Sequence, residues 1–304
     1  MKTYVIIGAT GNTGKPITLG LLEKGQKVRI ISRSFAKAKA LVNSASPNSS
    51  ANLAEIFEGD SSNTELLKKA FQGADAVYAM VPFNPAAPDY FAFQLTHVNA
   101  MTEALKATGI KYAVTLSSVG AHLKSGAGVV QGLQKMEEAF NAIPGLNVMH
   151  LRASYFMENT LGQIGAIKAM GAMGSPVRAD MAFPIVATKD IADMGLRYLV
   201  NLDFTGKNVN YVLGQREVTY NEIASVMGKA IGKPDLKYYA VTPEEGTKAM
   251  LQMGMGESVV SRMMEFIKAM NEGKVMEETK RNSSNTTPTT LEEFAHTFKA
   301  VYNM

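Results

Sequence analysis

The feature that most limits what this chain can fold into lies at residues 8–14, Gly8-Ala9-Thr10-Gly11-Asn12-Thr13-Gly14. Three glycines recur there at every third position, directly after the β-rich run Thr3 to Ile7. A stretch with helical spacing follows, in which Ile17 pairs with Leu21 and Leu19 with Leu22. One glycine allows a tight turn, one lets backbone N–H groups approach a pyrophosphate, and one lets the helix pack closely on the strand. The helix start then presents unpaired donors and a partial positive charge to the phosphate. Pro16 suits the first turn, where a missing N–H costs little. A glycine heptapeptide alone says little, but one set between a strand and a helix predicts a dinucleotide site at Gly8, Thr10, Gly11, Asn12, Thr13 and Gly14.

The rest of the first half repeats this alternation. Strand-like runs at Val28 to Ser32, Ala54 to Glu58, Ala74 to Met80, Tyr112 to Ser117 and Asn147 to Leu151 are separated by helical stretches. These are Ala36 to Val42, Glu65 to Phe71 with Asn63 or Thr64 as cap, Tyr90 to Ala107 ended by Gly109, and Gln131 to Ala142. Strict β-α alternation predicts an α/β fold with a doubly wound parallel sheet, a Rossmann domain spanning 1–152. Asn208 to Leu213 reads as a strand returning to that sheet, so about 187–213 would complete it. Residues 153–304 are expected to form a smaller, mainly helical lobe, with 153–183 a loop plus helix, 282–290 a polar loop and Leu291 to Val301 a last helix. Ligands of such sheets sit beyond the carboxyl ends of the strands. That directs attention to Arg33, Gly59-Asp60, Val81-Pro82-Phe83 and Ser117-Ser118.

The end of the second strand decides the cofactor. NAD is read by an acid about 20 residues past the glycines, NADP by a nearby Arg. No acid occurs from Gly25 to Asn52; Arg33, Lys37 and Lys39 do. A guanidinium can grip a 2′-phosphate bidentately, so NADP(H) is expected, with Arg33 and Lys37 as its readers. Asp60 either accepts from the adenine amino group or caps the following turn.

With these residues in hand, the chain resembles the NmrA-like family, atypical members of the short-chain dehydrogenase superfamily. The resemblance rests on the glycine loop, on Ser32-Arg33 with Lys37 and Lys39, and on Lys135-Met-Glu-Glu138. It continues through Leu151-Arg-Ala-Ser-Tyr-Phe-Met-Glu-Asn159, Lys189-Asp190-Ile191-Ala192 and Thr289-Thr-Leu-Glu-Glu-Phe294, covering nearly the whole chain. It implies a large nucleotide-binding lobe, a small lobe and NADP(H) between them. Family members include quinone reductases, reductases of plant phenolics and cofactor-sensing regulators, so the family alone does not decide between enzyme and sensor.

Short-chain dehydrogenases ordinarily place a Tyr four residues before a Lys, whose charge lowers the phenol pKa. Here Lys135 is preceded at that spacing by Gln131, which cannot exchange a proton near neutral pH. What remains for the reactive end is Ser117, Lys135 and Tyr155 as catalytic candidates. Lys135 would hold the nicotinamide ribose, Ser117 or Ser118 would bond the substrate or nicotinamide, and Tyr155, Phe156 and Asn159 would flank the ring. Their bland alternatives are a solvated lysine, a strand-end turn and packing between lobes. His122 stands alone in its loop, and no histidine spacing suits a metal.

A quinone or similar small electrophile fits this inventory, because the cofactor carries the hydride chemistry and the protein orients. A redox-sensing regulator acting through a protein partner is the alternative. With no cysteine, thiolate chemistry and disulfides are excluded. A net charge of +4 without a basic stripe argues against direct nucleic-acid binding. No apolar run approaches the ~20 residues of a membrane span, so a cytoplasmic location is expected.

Overall fold

The computed structural model describes residues 1–45 and 52–304. Its centre is a seven-stranded sheet. In chain order the elements of the nucleotide-binding lobe begin with β1 (Thr3–Ile7), α1 (Gly14–Glu23), β2 (Lys27–Ser32), α2 (Phe35–Ser44) and β3 (Ala54–Glu58). They continue with α3 (Thr64–Phe71), β4 (Ala76–Ala79), α4 (Tyr90–Thr108), β5 (Tyr112–Ser118), α5 (Gln131–Asn141) and β6 (Asn147–Ala153).

After β6 come β7 (Tyr155–Phe156), α6 (Ile164–Met170), β8 (Ala172–Ser175), β9 (Phe183–Val186), α7 (Thr188–Asn201) and β10 (Lys207–Val212). The chain closes with β11 (Glu217–Val218), α8 (Tyr220–Ala230), β12 (Lys237–Ala240), α9 (Pro243–Gln252), α10 (Glu257–Asn271) and α11 (Leu291–Tyr302).

The sheet runs β3-β2-β1-β4-β5-β6-β10 with every pair parallel. Such a sheet is covered on both faces, which is why β1 and β4 read as unbroken apolar runs rather than alternating ones. One face packs α1, α2 and α7 through Ile17, Leu21, Ala38, Leu41 and Ile191. The other packs α3, α4 and α5 through Leu67, Phe71, Met101, Met136 and Phe140. The strand order reverses between β1 and β4, and in sheets of this kind the ligand crevice lies there, beyond the carboxyl ends. The glycine loop, the ends of β2 and β3 and the loop after β4 all meet it.

Local signals agree with these bounds. Asn63 is the cap of α3, accepting from the Leu66 N–H at 3.0 Å. Gly109 ends α4 in the left-handed conformation. The strand expected at Asn208 to Leu213 joins the sheet as β10, beside β6.

The smaller lobe differs from the expectation of a loop plus helix over 153–183. That stretch contributes β7, β8 and β9, and β11 and β12 complete a three-stranded and a two-stranded sheet. Strands of two to four residues are shorter than the window over which alternation can be read. The lobe still has mainly helical mass, with α6, α8 and α11 around Met173, Phe183, Tyr220, Met227 and Phe298.

Candidate active site

The β1–α1 turn is built by exclusion of side chains. Gly8 adopts φ +73°, and a Cβ there would strike the Met80 side chain at the end of β4. A Cβ on Gly14 would run into the Gly8 carbonyl. The turn closes through Gly11 N–H to Gly8 O and Lys15 N–H to Gly11 O, both 2.9 Å. The amides of Asn12, Thr13 and Gly14 meet no acceptor among the described residues, and no side chain caps α1. Thr10, Gly11 and Asn12 are exposed, and Thr13 and Gly14 are buried directly behind them. Buried Thr13 accepts from the Tyr78 hydroxyl of β4 at 3.0 Å, which pins the turn to the strand across the reversal. The turn is thus a rigid cradle with free donors at a helix start, which is the donor set a pyrophosphate requires.

Next to it, Arg33 leaves the end of β2 with 76% of its side chain exposed, its Nε 4.0 Å from Asp60 Oδ2. Lys37 is exposed on the first turn of α2, which Ser34 caps. Asp60 accepts from the Ser62 N–H at 2.9 Å. Burial tends to raise its carboxyl pKa. Hydrogen bonds from Ser62, with the charges of His97 and Arg33, outweigh burial and hold it below the ordinary value.

Two partners escaped sequence reasoning here. His97 of α4 is buried, with Nδ1 2.9 Å from Ser61 Oγ and 3.6 Å from Asp60 Oδ1. Glu58, the last residue of β3, accepts from the Phe35 N–H at 3.0 Å. It is an acid on the neighbouring strand, in register with Ser32. The aromatic spacing of Phe93 and His97 on α4 was the only available hint for the histidine.

Val81 and Pro82 lie against the core while Phe83 projects with half its surface exposed, edge-on to Tyr90 at 5.7 Å. The small lobe grips this loop: Gly256 N–H donates to Pro85 O at 2.8 Å, and Ser258 Oγ accepts from Tyr90 N–H at 2.9 Å.

The other end of the crevice is arranged differently. Ser117 is buried and donates to Glu137 Oε1 at 2.5 Å. Glu137 also takes Arg152 Nε and Nη2 at 3.1 and 2.7 Å. Arg152 goes on to the Tyr211 hydroxyl at 3.1 Å. Burial alone would lower the Arg152 pKa, but the hydrogen bonds and charge of Glu137 raise it, so the guanidinium stays charged.

Lys135 stands on α5 with its Nζ 2.7 Å from Glu138 Oε2, both partly in solvent. Tyr155 points into the small-lobe core, where its hydroxyl accepts from the Tyr220 hydroxyl at 3.0 Å and its ring meets Phe183 edge-on. Burial raises its phenol pKa. Phe156 packs toward the other lobe, against the core of the sheet, and Asn159 is exposed. Buried Glu137 is the residue that sequence reading overlooked. Lying two past Lys135 on the same helix, it gave no sign that it would be the hub of this network.

A doubly wound parallel sheet whose first strand passes through a glycine-hinged turn into the first helix defines the class of dinucleotide-fold proteins. Within it the chain belongs to the NmrA-like family, whose model matches residues 1–295. It is 27% identical over 267 residues to an NAD(P)H azoreductase of Xenophilus azovorans, covering 86% of this chain and 85% of that protein. In fold it is similar to the NADPH-dependent quinone oxidoreductase of Escherichia coli solved with NADPH. The TM-score is 0.79 at 20% identity, over 96% of this chain and 98% of that one. It is also similar to the Citrobacter triphenylmethane reductase solved with NADP(H), at TM-score 0.77 and 17% identity over 98% and 100% of the two chains. Among the described residues, no helix is long and apolar enough to cross a membrane.

Proposed function

We propose that this protein binds NADP(H) and uses it to reduce a quinone or a similarly electrophilic small molecule. The observation that carries the reading is the β1–α1 turn, where three consecutive amides have no acceptor among the described residues and Arg33 stands exposed at the next strand end. The backbone donors take the pyrophosphate, Arg33 and Lys37 take the 2′-phosphate, and Asp60 takes the adenine amino group. Val81, Pro82 and Phe83 form the wall beside the cofactor. The azoreductase relative and the quinone and dye reductases that share the fold support an electrophilic acceptor.

When bound, the nicotinamide supplies a hydride. The chain's own contribution is placement. Lys135 exchanges its pairing with Glu138 for the ribose hydroxyls. Ser117, through Glu137, and Tyr155, through Tyr220, fix the strand ends that flank the ring, with Phe156 and Asn159 at its border. Titration of NADPH and NADH into wild type and Arg33→Ala, followed by nucleotide fluorescence, tests the cofactor half. NADPH preference is expected to fall by ~10-fold or more in the variant, the scale of one charge-assisted contact. An unchanged preference rejects the role of Arg33.

One arrangement favours a second reading, an NADP(H)-responsive regulator with a protein partner. The hydroxyl proton of Ser117 is committed, the Tyr155 phenol is buried, and Gln131 stands where an acid is expected. Loss of nicotinamide absorbance on adding quinone and azo acceptors separates the two, since a regulator gives none.

A further inference from the structure

The buried side of α4 joins the core of the sheet through Val98, Met101, Ala104 and Leu105, and His97 brings a polar ring into it. His97 is 1% exposed and lies edge-on to Phe93 at 4.6 Å, a contact that restrains its plane. A buried imidazole is destabilising unless its nitrogens find partners. Its Nδ1 stands 2.9 Å from Ser61 Oγ and 3.6 Å from Asp60 Oδ1, so α4 reaches across to the turn after β3. These two contacts decide the tautomer. A bare Nδ1 would turn a lone pair toward the carboxylate, whereas Nδ1–H gives its hydrogen bond to Ser61 and its positive end to Asp60. Burial holds the ring pKa below the usual 6.5, although Asp60 draws it upward, so the ring is neutral at pH 7. The two oxygens of Asp60 are treated differently. Oδ1 accepts the Ser62 N–H at 2.9 Å and faces His97, while Oδ2 is the oxygen near Arg33, 4.0 Å from Nε. Turning the carboxylate would give up both neighbours of Oδ1.

Resting on the nucleotide-binding reading above, we infer that His97 is a positioning residue for recognition of the adenine base. Its Nδ1–H, with the Ser62 amide, holds Oδ1 of Asp60 inward, so that Oδ2 is the oxygen presented to the adenine amino group. Ser61 and Phe93 fix the ring that does this. His97 touches no nucleotide itself. Because it works through Asp60, it governs the choice of base, and the choice between 2′-phosphate and 2′-hydroxyl stays with Arg33 and Lys37.

The test uses the full chain and compares NADPH with its hypoxanthine analogue, in which a carbonyl oxygen replaces the adenine amino group. That oxygen meets Asp60 as a second acceptor. Titrations followed by nucleotide fluorescence should show wild type preferring NADPH over the analogue by ~10-fold or more, the scale of one charge-assisted hydrogen bond. His97→Leu has a similar volume and no nitrogens. It should cut that preference by ~3-fold or more, since Ser62 alone then holds the carboxylate. Its preference for NADPH over NADH should stay within ~2-fold of wild type, as for independent sites. His97→Asn puts an amide N–H near the Nδ1 position and should restore the choice of base. The imidazole proton of wild type, read in long-range 1H–15N spectra, is expected on Nδ1. A His97→Leu preference equal to wild type, a His97→Asn preference as low as that of His97→Leu, equal weakening of all three nucleotides, or a proton on Nε2 overturns the inference and leaves NADPH binding intact. A wild type that binds NADPH and the analogue equally removes the adenine role of Asp60 and that of His97 with it. One that binds no nucleotide removes the whole reading.

Discussion

The two ends of the crevice solve opposite problems. At the end proposed to take the adenosine, from Gly8 to Asp60, the protein leaves its strongest groups free: three amides without acceptors among the described residues and a guanidinium mostly in water. At the reactive end, from Ser117 to Tyr155, the polar side chains bond to one another, Ser117 with Glu137 and Arg152, Tyr155 with Tyr220, and Lys135 with Glu138. The first end is built to gain contacts from a ligand. The second is built to hold a shape and keeps little in reserve. A site that relies on a cofactor for its chemistry can be divided this way, because orientation needs rigid walls more than free acids.

The largest expected effect breaks the rigid end. Glu137 is 5% exposed and takes hydrogen bonds from Ser117 and Arg152. Glu137→Ala removes the bidentate partner of the Arg152 guanidinium and leaves it only Tyr211 and the more distant Glu278, at 3.6 Å; removing one partner of a buried pair costs up to about 3–5 kcal/mol. Urea unfolding should show that loss. Arg33→Ala, at the exposed end, should change stability by less than about 0.5 kcal/mol. Equal losses from the two substitutions would erase the contrast.

A pH series sharpens it further. His150 of β6 lies beside the same network, its Nδ1 2.8 Å from Thr115 Oγ1 and its Nε2 3.0 Å from Asn141 Oδ1. Burial, partly countered by Glu137, pushes its pKa from 6.5 down to about 4. Between those values the unfolded chain takes up a proton that the folded chain refuses. Stability from this group is therefore complete above about pH 6.5 and falls as the pH drops toward 4. The slope approaches about 1.4 kcal/mol per pH unit, or roughly 2 kcal/mol between pH 7 and 5. His97 is shifted in the same direction, again chiefly by burial, so the series is run on His150→Gln and His97→Gln separately. The His150→Gln profile should flatten over this range; a slope equal to wild type would show that His150 titrates normally.

How much was legible in the sequence follows the same division. The adenosine end is made by backbone, and a backbone that must turn tightly and approach a ligand leaves its mark as glycines at fixed spacing. Gly8, Gly11 and Gly14 therefore announced the fold and the tight β1–α1 turn. The sheet was legible because short runs rich in Val, Ile, Ala and Tyr, at β1, β2, β4 and β5, alternate regularly with helical stretches. The reactive end is made by partner choice between side chains distant in sequence. Nothing in the local pattern around Ser117 says that its proton goes to Glu137, twenty residues on. Nor does Tyr155 announce a bond to Tyr220, sixty-five residues away. His97 and Glu58 escaped for the same reason, each reaching the cofactor end from a different element than the motif. The short strands β7, β8 and β11 carry too few residues for any period to be seen.

The smallest expected effect tests whether the reactive end holds anything in reserve for a ligand. Lys135 and Glu138 are roughly half exposed, three residues apart on one helix. Such pairs contribute less than about 0.5 kcal/mol, since water screens them and ordering two long side chains has an entropic cost. Lys135→Met should therefore leave the unfolding midpoint nearly unchanged. If the lysine leaves Glu138 for the nicotinamide ribose, NADPH binding should weaken by ~3- to 10-fold, the range of one or two exposed charge-assisted hydrogen bonds. Binding of 2′,5′-ADP, which lacks the nicotinamide ribose, should stay as in wild type. Arg33→Ala should weaken both ligands. Loss of 2′,5′-ADP binding in Lys135→Met would place the lysine at the adenosine end or in the fold itself, and the division of the crevice into a receptive half and a rigid half would have to be redrawn.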